Sequence, residues 1–353
     1  MVLVLLATGM GAVDISGVKG QKKAPCREAR GFFALNSIGF VFGLADLSGR
    51  NKGTTISRAV KITLLGTGTP TPSLKRMSSG YMVEIGADTI LFDHGPGAHH
   101  RLIEAGVRAV DVTHIFFSHL HYDHCLDYIR LLMTRWDQSD GSLPELKVYG
   151  PPHTARFSDL LIKPDGVFGP DLNARINHQA SIDTFERRGG VPPRLRPAPE
   201  VTELSSGDVV EGKGWRVECG NVPHAQPQLA CYGFRLDSDE GSFAYSGDAG
   251  PCKAMEKFAD NVDVLVHMCH YISGTEPGRP FAKGSMGHLE LAELGRKAKV
   301  RNLVVSHILE QMDVPGVRER LIAEMAAIYQ GNIFFGEDLM VVPLTSPVPQ
   351  AIR

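Results

Sequence analysis

The stretch 115–128, Ile-Phe-Phe-Ser-His-Leu-His-Tyr-Asp-His-Cys-Leu-Asp-Tyr, governs how the rest of the chain is read. Within six positions it holds His119, His121, Asp123 and His124, directly after the run Val112–Phe117. A short apolar run of this kind reads as a buried strand. In an α/β protein the C-terminal end of such a strand opens onto the ligand crevice. Side chains two apart in extended backbone point the same way. His119 and His121 are therefore placed to grip one ion, and Asp123 and His124, after the chain turns, to face a second. Imidazole and carboxylate suit zinc, or iron or manganese. The competing reading is a set of unrelated polar residues at a strand end. Three histidines and an aspartate at this spacing favour metal.

A chain of 353 residues has length for one large two-layered domain or two smaller ones, and a hydrophobic content of 43% supports a sizeable core. The 37 basic residues nearly balance the 39 acidic ones, so no global field favours nucleic acid or an anionic membrane. No apolar run of about 20 residues is present, so no spanning helix is expected. The six cysteines (Cys26, Cys125, Cys219, Cys231, Cys252, Cys269) lack the spacing of a disulfide framework and contain no Cys-x-x-Cys pair. They read as free thiols in a reducing compartment, which makes the cytoplasm the expected location. Residues 18–30 carry Lys19, Lys22, Lys23, Arg27 and Arg30 ahead of the apolar stretch 31–45. That order resembles an export signal set too far from the start. An N-terminal extension is the preferred reading, with export the alternative.

Ordered structure is expected from about Arg58. A strand over 59–65 runs into Gly66-Thr67-Gly68-Thr69-Pro70, and a hairpin of strands over 81–85 and 89–92 delivers Asp93. A helix over 98–106 follows, with His99 and His100 expected on its surface. Leu126, Ile129, Leu132 and Met133 form one apolar face of a helix over 126–136. The segment 151–200 is rich in Pro and Gly and lacks clear periodicity. Further strands are expected over 146–149, 215–221, 232–236, 242–245, 262–266, 302–305 and 339–343. Three of them deliver His224, Asp248 and His307. Helices are expected over 289–297, after Gly287-His288, and over 317–329.

His-x-His-x-Asp-His after a buried strand resembles the metallo-β-lactamase superfamily of binuclear metallohydrolases. The opening glycine loop with Pro72-Ser73 and Ser79-Gly80 is similar to its ribonuclease Z and arylsulfatase-like branch. The resemblance covers residues 58–345 and implies an α/β fold, an αββα four-layer sandwich. Residues 1–57 would form the extension, 58–345 the hydrolase domain with an insertion at about 151–200, and 346–353 a tail. The resemblance further implies two zinc ions per chain, with manganese or iron as alternatives. His119, His121 and His224 would hold one, and Asp123, His124 and His307 the other, with Asp248 between them. Asp93 would support the metal-site histidines, since a hydrogen-bond acceptor behind an imidazole fixes which nitrogen is free for metal. Asp123 would also orient a bridging hydroxide. His288 would donate a proton to the leaving group or hydrogen-bond the substrate, a capping role for its helix being the competing idea.

Such a centre attacks many esters, so specificity is argued from elsewhere. Ribonuclease Z carries a basic tRNA-gripping arm in the region of the insertion. Here seven basic residues (Arg156, Lys163, Arg175, Arg187, Arg188, Arg194, Arg196) face six acidic ones (Asp159, Asp165, Asp171, Asp183, Glu186, Glu200), which would release few counterions from RNA. Met268 stands where that family carries a glutamate, and a thioether transfers no proton. The expected activity is therefore hydrolysis of a small ester, an aryl or alkyl sulfate or phosphate ahead of a lactone or carboxylic ester. A tRNA 3′-processing endonuclease is the alternative. The expected partner is a small-molecule ester; the expectation runs against nucleic acid and membrane, and leaves a homodimer open. A non-catalytic metal-bound scaffold is disfavoured by the intact ligand set, and a di-iron oxidoreductase by the absence of a flavodoxin-like partner domain. Trp136, Tyr271 and Phe281 are candidates for lining the pocket, with core packing as the competing role.

Overall fold

In the computed structural model, residues 60–344 are described. The expected N-terminal extension and C-terminal tail lie outside the described residues. Two seven-stranded sheets face each other. The first runs in the order Val341–Val342, Lys61–Gly66, Gly80–Ile85, Asp88–His94, His114–Phe116, Lys147–Gly150 and Glu200–Glu203. The second runs Asn332–Phe335, Asn302–Ser306, Val264–Met268, Gly241–Tyr245, Tyr232–Ser238, Trp215–Asn221 and Val209–Gly212. Each sheet is mixed. The strands that carry the motif residues Asp93, His119 and His307 lie in its parallel part.

Strand side chains alternate between faces, and here both faces are buried, which is why these segments read as apolar runs. Phe92 and Phe116 point between the sheets while Leu91, Ile115 and Phe117 point to the helices outside the first sheet. Val264, Val266 and Val304 likewise face between the sheets, and Leu265, Leu303 and Val305 face the helices outside the second. Three apolar layers thus separate four layers of structure, the expected αββα sandwich. The middle layer is dominated by rings: Phe92 lies 5.3 Å from Phe116, 5.7 Å from Phe234 and 5.2 Å from Phe243, centroid to centroid. These contacts join the two sheets and set the spacing across which their loops must meet.

The insertion departs from expectation. Residues 151–200 contain three helices, Thr154–Ile162, Gly169–Asn177 and Gln179–Arg187, each nine residues long. Elements of two and a half turns separated by Pro and Gly give little periodic signal, and such helices persist through tertiary contacts. The contacts are visible. Arg175, Arg188 and Arg194 all reach Asp137 at the end of the helix Tyr128–Gln138, at 3.3, 3.7 and 3.4 Å. The Arg194 guanidinium also lies 3.8 Å over the Trp136 ring, whose indole N–H donates to the Leu195 carbonyl at 2.8 Å. Trp136 therefore fastens the insertion. Five cysteines among the described residues are free thiols. No helix of the described residues is long and apolar enough to cross a membrane.

Replacing Phe92 by alanine should cost about 3–5 kcal/mol, because its ring is fully buried where the two sheets meet. The check is the urea midpoint of the metal-stripped chain. An unchanged midpoint would show that the inter-sheet rings do not carry the fold.

Candidate metal centre

Asp93 sits at the end of the strand Asp88–His94 with φ of 57°, a left-handed conformation that aspartate tolerates better than most residues. A Cβ on nearby Gly95 would stand 1.9 Å from the Asp123 carbonyl oxygen, so only glycine lets this loop lie against the histidine motif. The Asp93 carboxylate gathers four donors. It accepts from the Ser118 amide at 2.7 Å, the Ser118 hydroxyl at 2.6 Å and the Tyr245 hydroxyl at 2.6 Å, and it stands 2.7 Å from His124 Nδ1. His124 thus donates through Nδ1 and keeps Nε2 for the cluster. Ser118 Oγ, having given its proton to Asp93, accepts from His119 Nδ1 at 2.9 Å. His119 Nε2 is freed in the same way. His224 Nδ1 donates to the Gly284 carbonyl at 2.9 Å, which frees its Nε2 as well.

The freed atoms converge. His119 Nε2 lies 2.9 Å from His121 Nδ1, and His224 Nε2 lies 3.4 Å from the same atom. On the other side, Asp123 Oδ2 is 3.4 Å from both His124 Nε2 and His307 Nε2. Asp248 spans the two groups: Oδ1 is 3.4 Å from His124 Nε2, while Oδ2 is 3.5 Å from His224 Nε2 and 3.3 Å from His307 Nε2. Ligands about 2.0–2.1 Å from a tetrahedral zinc ion stand roughly 3.4 Å from one another. The spacings of 3.3–3.5 Å fit that figure, and the His119–His121 pair is closer. His124 Nε2 and Asp248 Oδ1 are buried and have no hydrogen-bond partner. Nitrogen and oxygen donors in this mixture suit zinc, manganese or iron. Three subsets could each hold an ion: His119, His121 and His224; His119, His124 and Asp248; Asp123, His124 and His307.

Electrostatics prepare the cluster for cations. Burial pushes His119 well below its usual value and lowers His121. Burial pulls His124 down too, but Asp248 and Asp93 outweigh it and hold the ring well above the ordinary range. Burial would raise Asp248 and Asp123, yet His307 and His124 keep both below the usual carboxylate range. These directions favour ionised carboxylates for Asp123 and Asp248 and a protonated His124 at neutral pH.

The structure brings all seven expected donors and Asp93 together, and leaves His288 apart. His288 is buried as the first residue of the helix His288–Lys297. Its Nδ1 accepts from the Ser273 amide at 3.0 Å, and its Nε2 lies 2.7 Å from Glu324. Both nitrogens are occupied by contacts within the fold, and His288 lies outside the donor cluster. His99 is buried rather than on the helix surface, 3.3 Å from His94; His100 is exposed as expected. The strand Val264–Met268 extends further than expected and takes Met268 into the core, where its sulfur accepts from the Ala249 amide at 2.9 Å. Three partners were missed. Ser118 and Tyr245 directly precede a motif residue or its turn, a signal present in the sequence. The third is His270, whose Nδ1 lies 2.9 Å from His307 Nδ1 and whose ring lies 5.8 Å from that of Phe281.

Comparison with known proteins identifies the family. A family model described as a β-lactamase superfamily domain matches residues 170–308, and one described as anti-Pycsar protein Apyc1 matches residues 60–148. A ribonuclease Z of Mycobacterium bovis (strain BCG / Pasteur 1173P2) is 30% identical over 299 residues, 79% of this chain and 96% of that protein. Among solved structures, the metallo-β-lactamase fold protein YhfI from Bacillus subtilis matches with a TM-score of 0.63 at 18% identity, over 81% of this chain and 99% of that one. Human tRNase Z, short form, matches with a TM-score of 0.57 at 19% identity, over 81% and 99%. The chain belongs to the metallo-β-lactamase superfamily, in its ribonuclease Z branch, and is a metal-dependent hydrolase of that superfamily.

Relatives that are ribonucleases by name overturn the expectation against nucleic acid as a partner. The charge count of one segment was the wrong measure. It says nothing of cations elsewhere, and phosphates are also held by backbone N–H groups and neutral side chains.

Two measurements follow from the geometry. Asp93→Ala should lower metal affinity about 10–100-fold, because His124 and Ser118 lose the acceptor that aims them. Chelator competition reads this, and an affinity equal to that of the parent would remove Asp93 from the support of the site. Metal uptake near neutral pH should release about one proton per chain, chiefly from His124. Titration calorimetry in buffers of different ionisation enthalpy measures that number, and zero would contradict a protonated His124.

Proposed function

We propose that this protein is a metal-dependent RNA endonuclease of the ribonuclease Z type, cleaving a phosphodiester bond at the 3′ side of tRNA precursors. The observation that carries the reading is the seven-donor cluster in a chain whose 30%-identical relative, matched over 96% of its length, is a ribonuclease Z. His119, His121 and His224 would hold one divalent cation, and Asp123, His124 and His307 a second, with the Asp248 carboxylate between the two groups. Two such ions, zinc by donor type, would supply a water of lowered pKa and a Lewis acid for the phosphoryl oxygens.

The remaining work falls to the protein. Asp123 stays an ionised acceptor at neutral pH because His124 and His307 outweigh its burial, so it can orient the attacking water. Asp93 holds His124 directly, and His119 through Ser118, which keeps the proper nitrogen of each ring turned inward. The near-complete burial of His119, His124, Asp123, Asp248 and His307 excludes bulk water from the far side of the cluster. The polar fit across the two sheets is thereby pre-organised before substrate arrives.

The insertion differs from a freely moving arm. Three of its seven cationic side chains are committed to Asp137, and Lys163 pairs with Asp159 at 2.5 Å. RNA would therefore meet a surface already ordered, with fewer phosphates neutralised by this segment. A shallow dependence of binding on salt is the expected consequence.

The test is cleavage of a precursor tRNA bearing a 3′ trailer by zinc-reconstituted protein, with a nitrophenyl phosphate diester and a nitrophenyl sulfate run alongside. Single-site cleavage of the RNA is expected, together with loss of about a thousandfold or more in His121→Ala and Asp248→Ala. Turnover of a small ester without RNA cleavage would overturn the reading.

A further inference from the structure

Each proposed metal-binding histidine needs its second nitrogen occupied by something that fixes the proton. Asp93 does this for His124, Ser118 for His119 and the Gly284 carbonyl for His224. For His307 the contact is His270, with the two Nδ1 atoms 2.9 Å apart. Two aromatic nitrogens at that distance share one proton, since two lone pairs repel and two N–H groups collide. The direction follows from the other end of His307. Its Nε2 stands 3.3 Å from Asp248 Oδ2 and 3.4 Å from Asp123 Oδ2, where a ligand atom belongs. A neutral imidazole that presents a lone pair at Nε2 carries its proton at Nδ1.

We infer that His270 accepts the Nδ1 proton of His307 and so aims His307 Nε2 at the second metal position, a positioning residue outside the ligand set. The inference rests on reading the cluster as a metal centre. His307 has particular need of such a partner, because its own backbone is left-handed, with φ of 55°. Strain of that kind persists only where the surroundings hold it.

His270 is itself held on both sides. The Cys269 amide donates to the Ser306 carbonyl at 2.7 Å, one residue before His307, and the His270 amide donates to the Met286 carbonyl at 2.8 Å. Phe281 packs on the ring at 5.8 Å. The same segment that starts with His270 reaches Gly284, whose carbonyl takes the His224 proton. Residues 270–284 therefore orient one histidine from each proposed metal group, a coupling that no nearby sequence motif announces.

The experiment titrates cobalt(II) into the metal-stripped full chain and follows the visible absorption bands and chelator competition. His270→Ala should weaken one of two cobalt sites about 10–100-fold and alter its bands, while the other site changes by less than about threefold. His270→Asn, whose side-chain oxygen can accept near the original Nδ1 position, should recover affinity and bands to within about threefold of the parent. Parent-like affinity and bands in His270→Ala would overturn the inference. Failure of His270→Asn to recover them would do so too, since it would mark the ring as a ligand or as packing alone. If the parent takes up no cobalt, the metal-centre reading itself falls. Parent binding of two ions with an indifferent His270→Ala defeats only the role given to His270.

Discussion

Seven donors whose lone pairs converge on one largely buried site repel each other unless positive charge lies between them. That constraint shapes the rest of the molecule. His119 Nε2 and His121 Nδ1 at 2.9 Å cannot both be bare nitrogens facing nothing. Asp248 and Asp93 favour a proton on His124, which offsets part of this repulsion, and cations held among the donors would offset more of it. The fold opposes collapse of the cluster through parts that are not ligands at all: the ring stack around Phe92 that spaces the sheets, and the left-handed turns at Asp93 and His307 that point side chains inward from opposite sheets. Hydrophobic burial, the largest favourable term in folding, thereby stabilises an arrangement that electrostatics alone would scatter.

The legible part of this architecture was the part written in short range. Wherever an apolar run of alternating faces ends in His, Asp or a Ser-Gly-Asp turn, residues adjacent in sequence suffice to place the donor at the end of a buried strand. Asp93, His119, His224, Asp248 and His307 all arise this way. What stayed hidden depends on contacts between distant residues. Asp137 binds three arginines from 38 to 57 positions away, and no spacing rule connects them. His270 follows a strand and His288 opens a helix in the C-terminal half of the chain, and the sequence offers no way to choose between them. The structure chooses by a hydrogen bond: Glu324 and Ser273 claim one, His307 the other. His99 was misplaced for a similar reason, its neighbour His94 being reached only by folding.

Charge counting failed in an instructive way. A segment with one net positive charge is expected to release few counterions from RNA, yet net charge averages over groups that behave differently. Arg175, Arg188 and Arg194 are cations in sequence and cross-links in the structure. Their loss from the electrostatic surface is real, but it also means that the insertion is ordered before any ligand binds. A pre-ordered surface loses less conformational entropy on association than a flexible arm does. Fewer phosphate contacts and a smaller ordering cost act in opposite directions on affinity, so the sum of charges cannot give the sign of the outcome.

Met268 turns the same reasoning on the chemistry. The resemblance leads one to expect a glutamate there and a proton relay with it. The structure instead uses the position to hold the residue after Asp248, through the contact of its sulfur with the Ala249 amide. The surroundings explain why a thioether is at home. Met268 is buried and touches the residue after the ionised Asp248, and a further carboxylate there without a cation of its own would cost several kcal/mol of desolvation, on the order of what a buried unpaired charge costs. His288, hydrogen-bonded to Glu324 and to the Ser273 amide, is likewise held by contacts within the fold, so both positions that the resemblance marks for proton transfer carry structural contacts here.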